Sequence, residues 1–209
     1  MKTLDEIWQI HLDRDLNPEE LKDLVWHIDN DCPPYQAISL ATDMGLKQLG
    51  AVLAKHLSSK DEYTRELTVG CIIGRLKLAE YGEKGFEMAQ NEDEGSSRTL
   101  AIFSLGDIMD GVLFSLAQKI AKYLLWIFKN DESKVVRDSS YFSILAAMKI
   151  PYEQQPMVSR GVKESDIDSS ILSEFCKKYQ VTLPEKNEED MKKEGNSWKP
   201  QSLHPSRIH

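Results

Sequence analysis

The chain has 209 residues, 41% of them hydrophobic, which is enough for one good core and sets a single elongated domain as the default. A net charge of −8, with lysines scattered among acids, repels a phosphate backbone and disfavours a general nucleic-acid binder. Three well-separated cysteines (Cys32, Cys71 and Cys176) with no Cys-x-x-Cys argue against a disulfide framework and read as buried thiols in a reducing compartment.

The first residues, Met1-Lys-Thr-Leu-Asp-Glu6, hold no apolar signal core, because Asp5 and Glu6 interrupt it at once. Leu4, Ile7, Trp8 and Ile10 recur at helical spacing over 3–12. Asn17-Pro18-Glu19-Glu20 is a helix start, with a capping residue, proline in the first turn and acids at the positive end of the dipole. That helix runs through Leu21, Leu24, Val25 and Ile28. Residues 1–31 carry nine acids against three bases, a net of −6, which reads as a solvated capping face or an acidic docking surface.

Cys32-Pro33-Pro34 breaks the helix, and 35–43 with 46–57 form a helix pair around a stop at Gly45. Further helices are expected over 62–78, about 84–90, 97–108, 111–129 and 135–148. Helix 111–129 is long and apolar but holds Gln118, Lys119 and Lys122, so it reads as a core helix and not as a membrane span. Its expected buried stripe is Val112, Leu113, Leu116, Ala117, Ile120, Ala121, Leu124 and Leu125, leaving Tyr123 and Trp126 off it. After Pro151 the pattern stops. A connector leads to a narrow apolar stripe within 165–179, suited to a capping helix. From Pro184 the composition cannot offset chain entropy and predicts a flexible tail containing Trp198.

Self-similarity runs through the middle. Segments opening at Asp61, Asp93 and Asp131 each begin Asp-Glu, carry arginine four to six positions on (Arg65, Arg98, Arg137), and continue as apolar runs with small residues. Small residues permit close approach of a neighbouring helix, and apolar surface that one pair cannot bury requires stacking. This stretch, roughly Cys32 to Pro151, resembles the HEAT-repeat family. The resemblance implies an all-α protein, an α-α superhelix with repeats over 32–150, caps at 1–31 and 162–183, and a tail from 184. It also implies a ladder drawn from Asp61, Asp93, Asp131, Arg65, Arg98 and Arg137. The Val-Arg pair of the third copy is missing from the first two.

No phosphate loop, His-Glu-x-x-His pair or nucleophile elbow occurs, and the five histidines lack metal spacing, so no catalytic residue, cofactor or metal is expected. Large aromatics flanked by charge suit a protein hot spot. The expected partner-binding residues are therefore Asp107, Asp110, Glu83, Glu87, Tyr123 and Trp126. The resulting expectation is a cytoplasmic, non-enzymatic module that binds another, basic protein and neither nucleic acid nor membrane. By analogy with acidic HEAT-like immunity proteins, that partner is a nuclease-type toxin. The same resemblance also admits a bilin-lyase-like enzyme, a DNA-glycosylase-like enzyme or a general scaffold. The chain has no basic track for the glycosylase and no visible Cys or His set for the lyase.

Overall fold

Capping chemistry sets the first helix starts. Thr3 with Glu6 forms a reciprocal capping box at α1 (Leu4–Asp13), and Asn17 with Glu20 forms another at α2 (Pro18–Asn30). This computed structural model describes residues 1–91 and 95–184, and among them there are ten α-helices, short 3-10 turns and no strand. The remaining helices are α3 (Tyr35–Asp43), α4 (Gly50–Ala54), α5 (Glu62–Val69), α6 (Gly82–Asn91), α7 (Ser96–Leu105), α8 (Phe114–Asn130), α9 (Lys134–Ala147) and α10 (Ser169–Tyr179). α5 continues through a wider π-helical turn, Gly70–Arg75. Asp93 and Trp198 lie outside the described residues, as does the tail beyond Pro184.

The α2 entrance shows how the acidic cap holds together. Arg14 grips Glu20 through two bonds of 2.8 and 2.7 Å, and the Asn17 N–H donates to the same carboxylate at 2.9 Å. The Glu20 side chain is only 5% exposed, so this charge is spent inside the fold. Arg14, then Asn17, hold its carboxyl down at about 2.

Neighbouring helices pack in chain order. α3 lies against α5, α5 against α7 and α7 against α9, while α6 pairs with α7 and α8 with α9. One apolar cluster runs from Ile7 in α1 to Val181 beyond α10. Tyr141 and Phe175 are among its largest sealed side chains, each contributing roughly 1.5–3 kcal/mol of burial.

The repeat register differs from the Asp-Glu alignment by two residues. The residue capping α5 is Asp61, whereas the one capping α9 is Ser133. Four positions on, Arg65 and Arg137 do the same work. Arg65 donates to the carbonyls of Ser59 and Lys60, and Arg137 donates to those of Asp131 and Glu132. Sixteen positions past each cap, Lys77 and Lys149 adopt left-handed φ of 53° and 57°. Each is followed by an apolar residue whose N–H turns back into the helix, Leu78 to Ile72 and Ile150 to Leu145. Gly45 (φ 66°) with Leu46 and Gln180 (φ 54°) with Val181 end α3 and α10 in the same way. Segments 61–77 and 133–149 are thus equivalent at a spacing of 72 residues.

Asp131 ends α8. Its Oδ1 accepts from the Ser133 N–H at 3.0 Å, and its Oδ2 accepts from Arg98 of the preceding segment at 2.8 Å. Arg98 and Asp131, two of the expected ladder members, form a cross-segment ion pair. Asp61 instead accepts from Thr64 and from the Tyr35 hydroxyl at 2.7 Å. Cys71 is buried among apolar side chains and burial pushes its thiol up, whereas Cys32, expected to be buried, is exposed beside the prolines.

Candidate functional site

The expected carboxylates are largely neutralised from within. The two left-handed lysines both reach the turn between α7 and α8. Lys77 meets Asp107 at 2.8 Å, and Lys149 meets Asp110 at 2.8 Å. Lys178 of α10 adds a second ion pair to Asp110 at 2.8 Å and donates to the Ala147 carbonyl at the end of α9. Lys149, then Lys178, hold the Asp110 carboxyl at about 2. This carboxylate therefore ties α9 and α10 to the α7–α8 turn.

A pH dependence follows from the depressed carboxyls. Glu20 and Asp110 titrate at about 2 in the fold, below their ordinary values of 4.5 and 3.8. Their stabilisation is present above those ordinary values and is lost as pH falls towards 2. The Asp110 side chain is 44% exposed, so solvent screening limits its share to about 1 kcal/mol. Thermal melts between about pH 5 and pH 2 should show Asp110→Asn as less stable at pH 5 and flatter with pH than the parent. Parallel curves would show that Asp110 carries none of the dependence.

The aromatic pair also differs from expectation. Tyr123 is 5% exposed, its ring packs edge-on against Phe86 at 5.4 Å, and its hydroxyl donates to the Ala89 carbonyl. Burial pushes its hydroxyl pKa up. Trp126 is half-buried, and its indole Nε1 is sealed with no hydrogen-bond partner among the described residues. The expected stripe leaves Tyr123 and Trp126 outside, but α8 is covered by α9, by α10 and, through Phe86 and Ala89, by α6. Leu113, expected inside, is 78% exposed because it precedes the first turn of α8. Glu83 and Glu87 do sit on the open face of α6, where Glu87 pairs with Lys84 at 3.4 Å.

An open groove lies elsewhere, where α1, α3 and α5 meet. It encloses about 350 Å³. Trp8 comes from α1, Tyr35 opens α3 and Tyr63 lies in the first turn of α5, with Leu4, Leu40 and Leu67 between them. The two tyrosine rings are perpendicular, with centroids 4.6 Å apart, and form a corner. Tyr35 is fixed there by Asp61, which pushes its hydroxyl pKa up, while Tyr63 is 53% exposed. Two carboxylates stand at the rim. Asp5 has no hydrogen-bond or ion-pair partner among the described residues, and Asp43 pairs with Arg75 at 2.6 Å between exposed side chains.

The chain matches no family model, no curated protein and no solved structure. No helix among the described residues is long and apolar enough to cross a membrane, and none of their His, Cys, Asp and Glu side chains group to hold a metal ion.

Sequence reasoning passed over this groove because it weighed aromatics on the longest helix. A signal was present, since Tyr35 and Tyr63 fall in the first turns of α3 and α5, which pack against each other. Aromatics at matched positions of stacked helices land on one face.

Proposed function

We propose that this chain is a non-enzymatic protein-binding module, an α-α superhelix that neutralises a basic, nuclease-type protein in the manner of an immunity protein, in the cytoplasm. The α1–α3–α5 groove carries the reading, because it joins three aromatic side chains to rim carboxylates beside the stretch of net charge −6. Aromatics set in a polar rim are the usual anchors of protein recognition, and an acidic surface steers a basic partner towards them. The chain-order packing of α3, α5, α7 and α9 supports the superhelix, with the 72-residue equivalence of segments 61–77 and 133–149.

The expected contact surface moves accordingly. Asp107 and Asp110 serve the fold, Tyr123 is interior, and the groove residues Trp8, Tyr35, Tyr63, Asp5 and Asp43 take the contact role, with Glu83 and Glu87 as outlying charge.

The test is capture on the immobilised full chain, followed by binding measurements on each captured protein. Basic proteins should dominate, and raising salt from about 50 to 200 mM should slow their association. Tyr63→Ala should weaken binding by about 1–2 kcal/mol. Partners of neutral charge, or association indifferent to salt, would sink the reading.

A further inference from the structure

The groove also specifies which partner side chain it takes, and this step rests on the protein-binding reading above. Its lining takes rings from three separate helices, with Tyr35 and Tyr63 edge to face at 4.6 Å, and the exposed face of an aromatic ring carries the negative side of its quadrupole. Its rim adds Asp5, which has no ion-pair partner among the described residues, and the exposed Asp43, whose contact with Arg75 joins side chains 43% and 59% exposed and therefore exchanges readily. An anion is repelled by this rim, and a purely apolar group would strip water from two carboxylates without replacing it. The occupant that satisfies both wall and rim is a cation with a flat, weakly hydrated face. At about 350 Å³ the space lies at the small end of ligand pockets, suited to one long side chain and its flanking backbone.

We infer that the groove receives an arginine side chain from an extended segment of the basic partner, its guanidinium stacked in the Trp8–Tyr35–Tyr63 corner and hydrogen-bonded to Asp5 and Asp43. Arginine fits better than lysine, because its planar group stacks on rings and presents several N–H donors in a fixed fork, whereas an ammonium holds its water more strongly. Tyr35 is pre-set for the stack by its bond to Asp61. Asp61 is thereby a positioning residue for the groove as well as the cap of α5.

The experiment uses the full chain, isotope-labelled for NMR, titrated with the blocked tripeptide Gly-Arg-Gly and with the same peptide carrying lysine or citrulline. The arginine peptide should shift the Trp8 indole signal and amides of α1, α3 and α5, with weak, millimolar affinity. Lysine should bind at least threefold more weakly, and uncharged, isosteric citrulline at least tenfold more weakly. Tyr63→Ala and Asp5→Asn alter exposed side chains, and each variant should keep a cooperative melting transition close to the parent's. Each should weaken the arginine peptide at least threefold. Equal binding of arginine and citrulline, shifts confined to other helices, or indifference to both substitutions overturns the inference. A captured basic protein whose binding survives Tyr63→Ala, with no peptide shifts, also overturns it and leaves a module that binds its basic partner through another surface. Failure of the capture experiment as well removes both.

Discussion

Replacing Gly106 with alanine is expected to cost about 3 kcal/mol, the upper end for forcing an atom into a packed core. Gly106 follows α7 with ordinary right-handed dihedrals, so its need for glycine is not conformational. A Cβ there would stand 2.0 Å from the Ser143 carbonyl oxygen of α9. The obstacle is backbone, and it cannot swing away. The same approach lets the Ser143 hydroxyl accept from the Gly106 N–H at 2.7 Å in a buried setting. Gly85 supplies the control. A Cβ at that position would also lie 2.0 Å from its nearest neighbour, but the neighbour is the Cδ1 methyl end of Ile73. Gly85→Ala should therefore cost only about 1 kcal/mol after the isoleucine re-seats. Urea unfolding of the two variants decides the matter. Equal losses would mean that the α7–α9 contact can relax, and that the close approach is not what holds those helices in register.

Arg98→Met is expected to lose about 3 kcal/mol or more, because it strands a charge. The Arg98 and Asp131 side chains are 14% and 11% exposed, and their 2.8 Å contact bridges consecutive segments. Burial opposes the guanidinium charge, but the oxygens of Tyr123 and Asp131 more than offset it and raise its pKa. Removing the cation leaves Asp131, among the described residues, with only the Ser133 N–H at 3.0 Å and its remaining solvent face. Asp131→Asn keeps that local acceptor and should cost less. The double variant should recover part of the Arg98→Met loss, giving a coupling of roughly 1–3 kcal/mol in a double-mutant cycle. Strict additivity in that cycle would show that the two side chains do not act as a pair, whatever their separation.

Both predictions concern contacts between segments, whose partners lie 37 and 33 residues apart and share no local sequence signal. Single helices were legible because their signals are local. Asn17-Pro18-Glu19-Glu20 marks a start whatever surrounds it, and the Gly45 stop reflects what glycine's backbone can do. The helices expected over 62–78 and 135–148 end close to those bounds, but the left-handed turns at Lys77 and Lys149 were not legible, since lysine carries no left-handed preference and is held there by the Schellman-type bonds that follow it. The two-residue error in the repeat register has the same origin. Asp-Glu looks like a shared entrance, yet Asp61 caps a helix start and Asp131 closes a helix end.

The sequence by itself determined that this protein is helical, roughly where each helix lies, and that its acids crowd towards the first 31 residues, because propensity, capping and apolar period act within a few residues of one another. Only the tertiary structure decided which acids and rings remain available. Asp110 is held by lysines 39 and 68 residues away, and Tyr123 is covered by Phe86 and Ala89, 37 and 34 residues earlier. Trp8, Tyr35 and Tyr63 become one groove because α1, α3 and α5 converge. Charge and exposure at a side chain are set by whatever packs against it, and that neighbour is chosen by the fold as a whole.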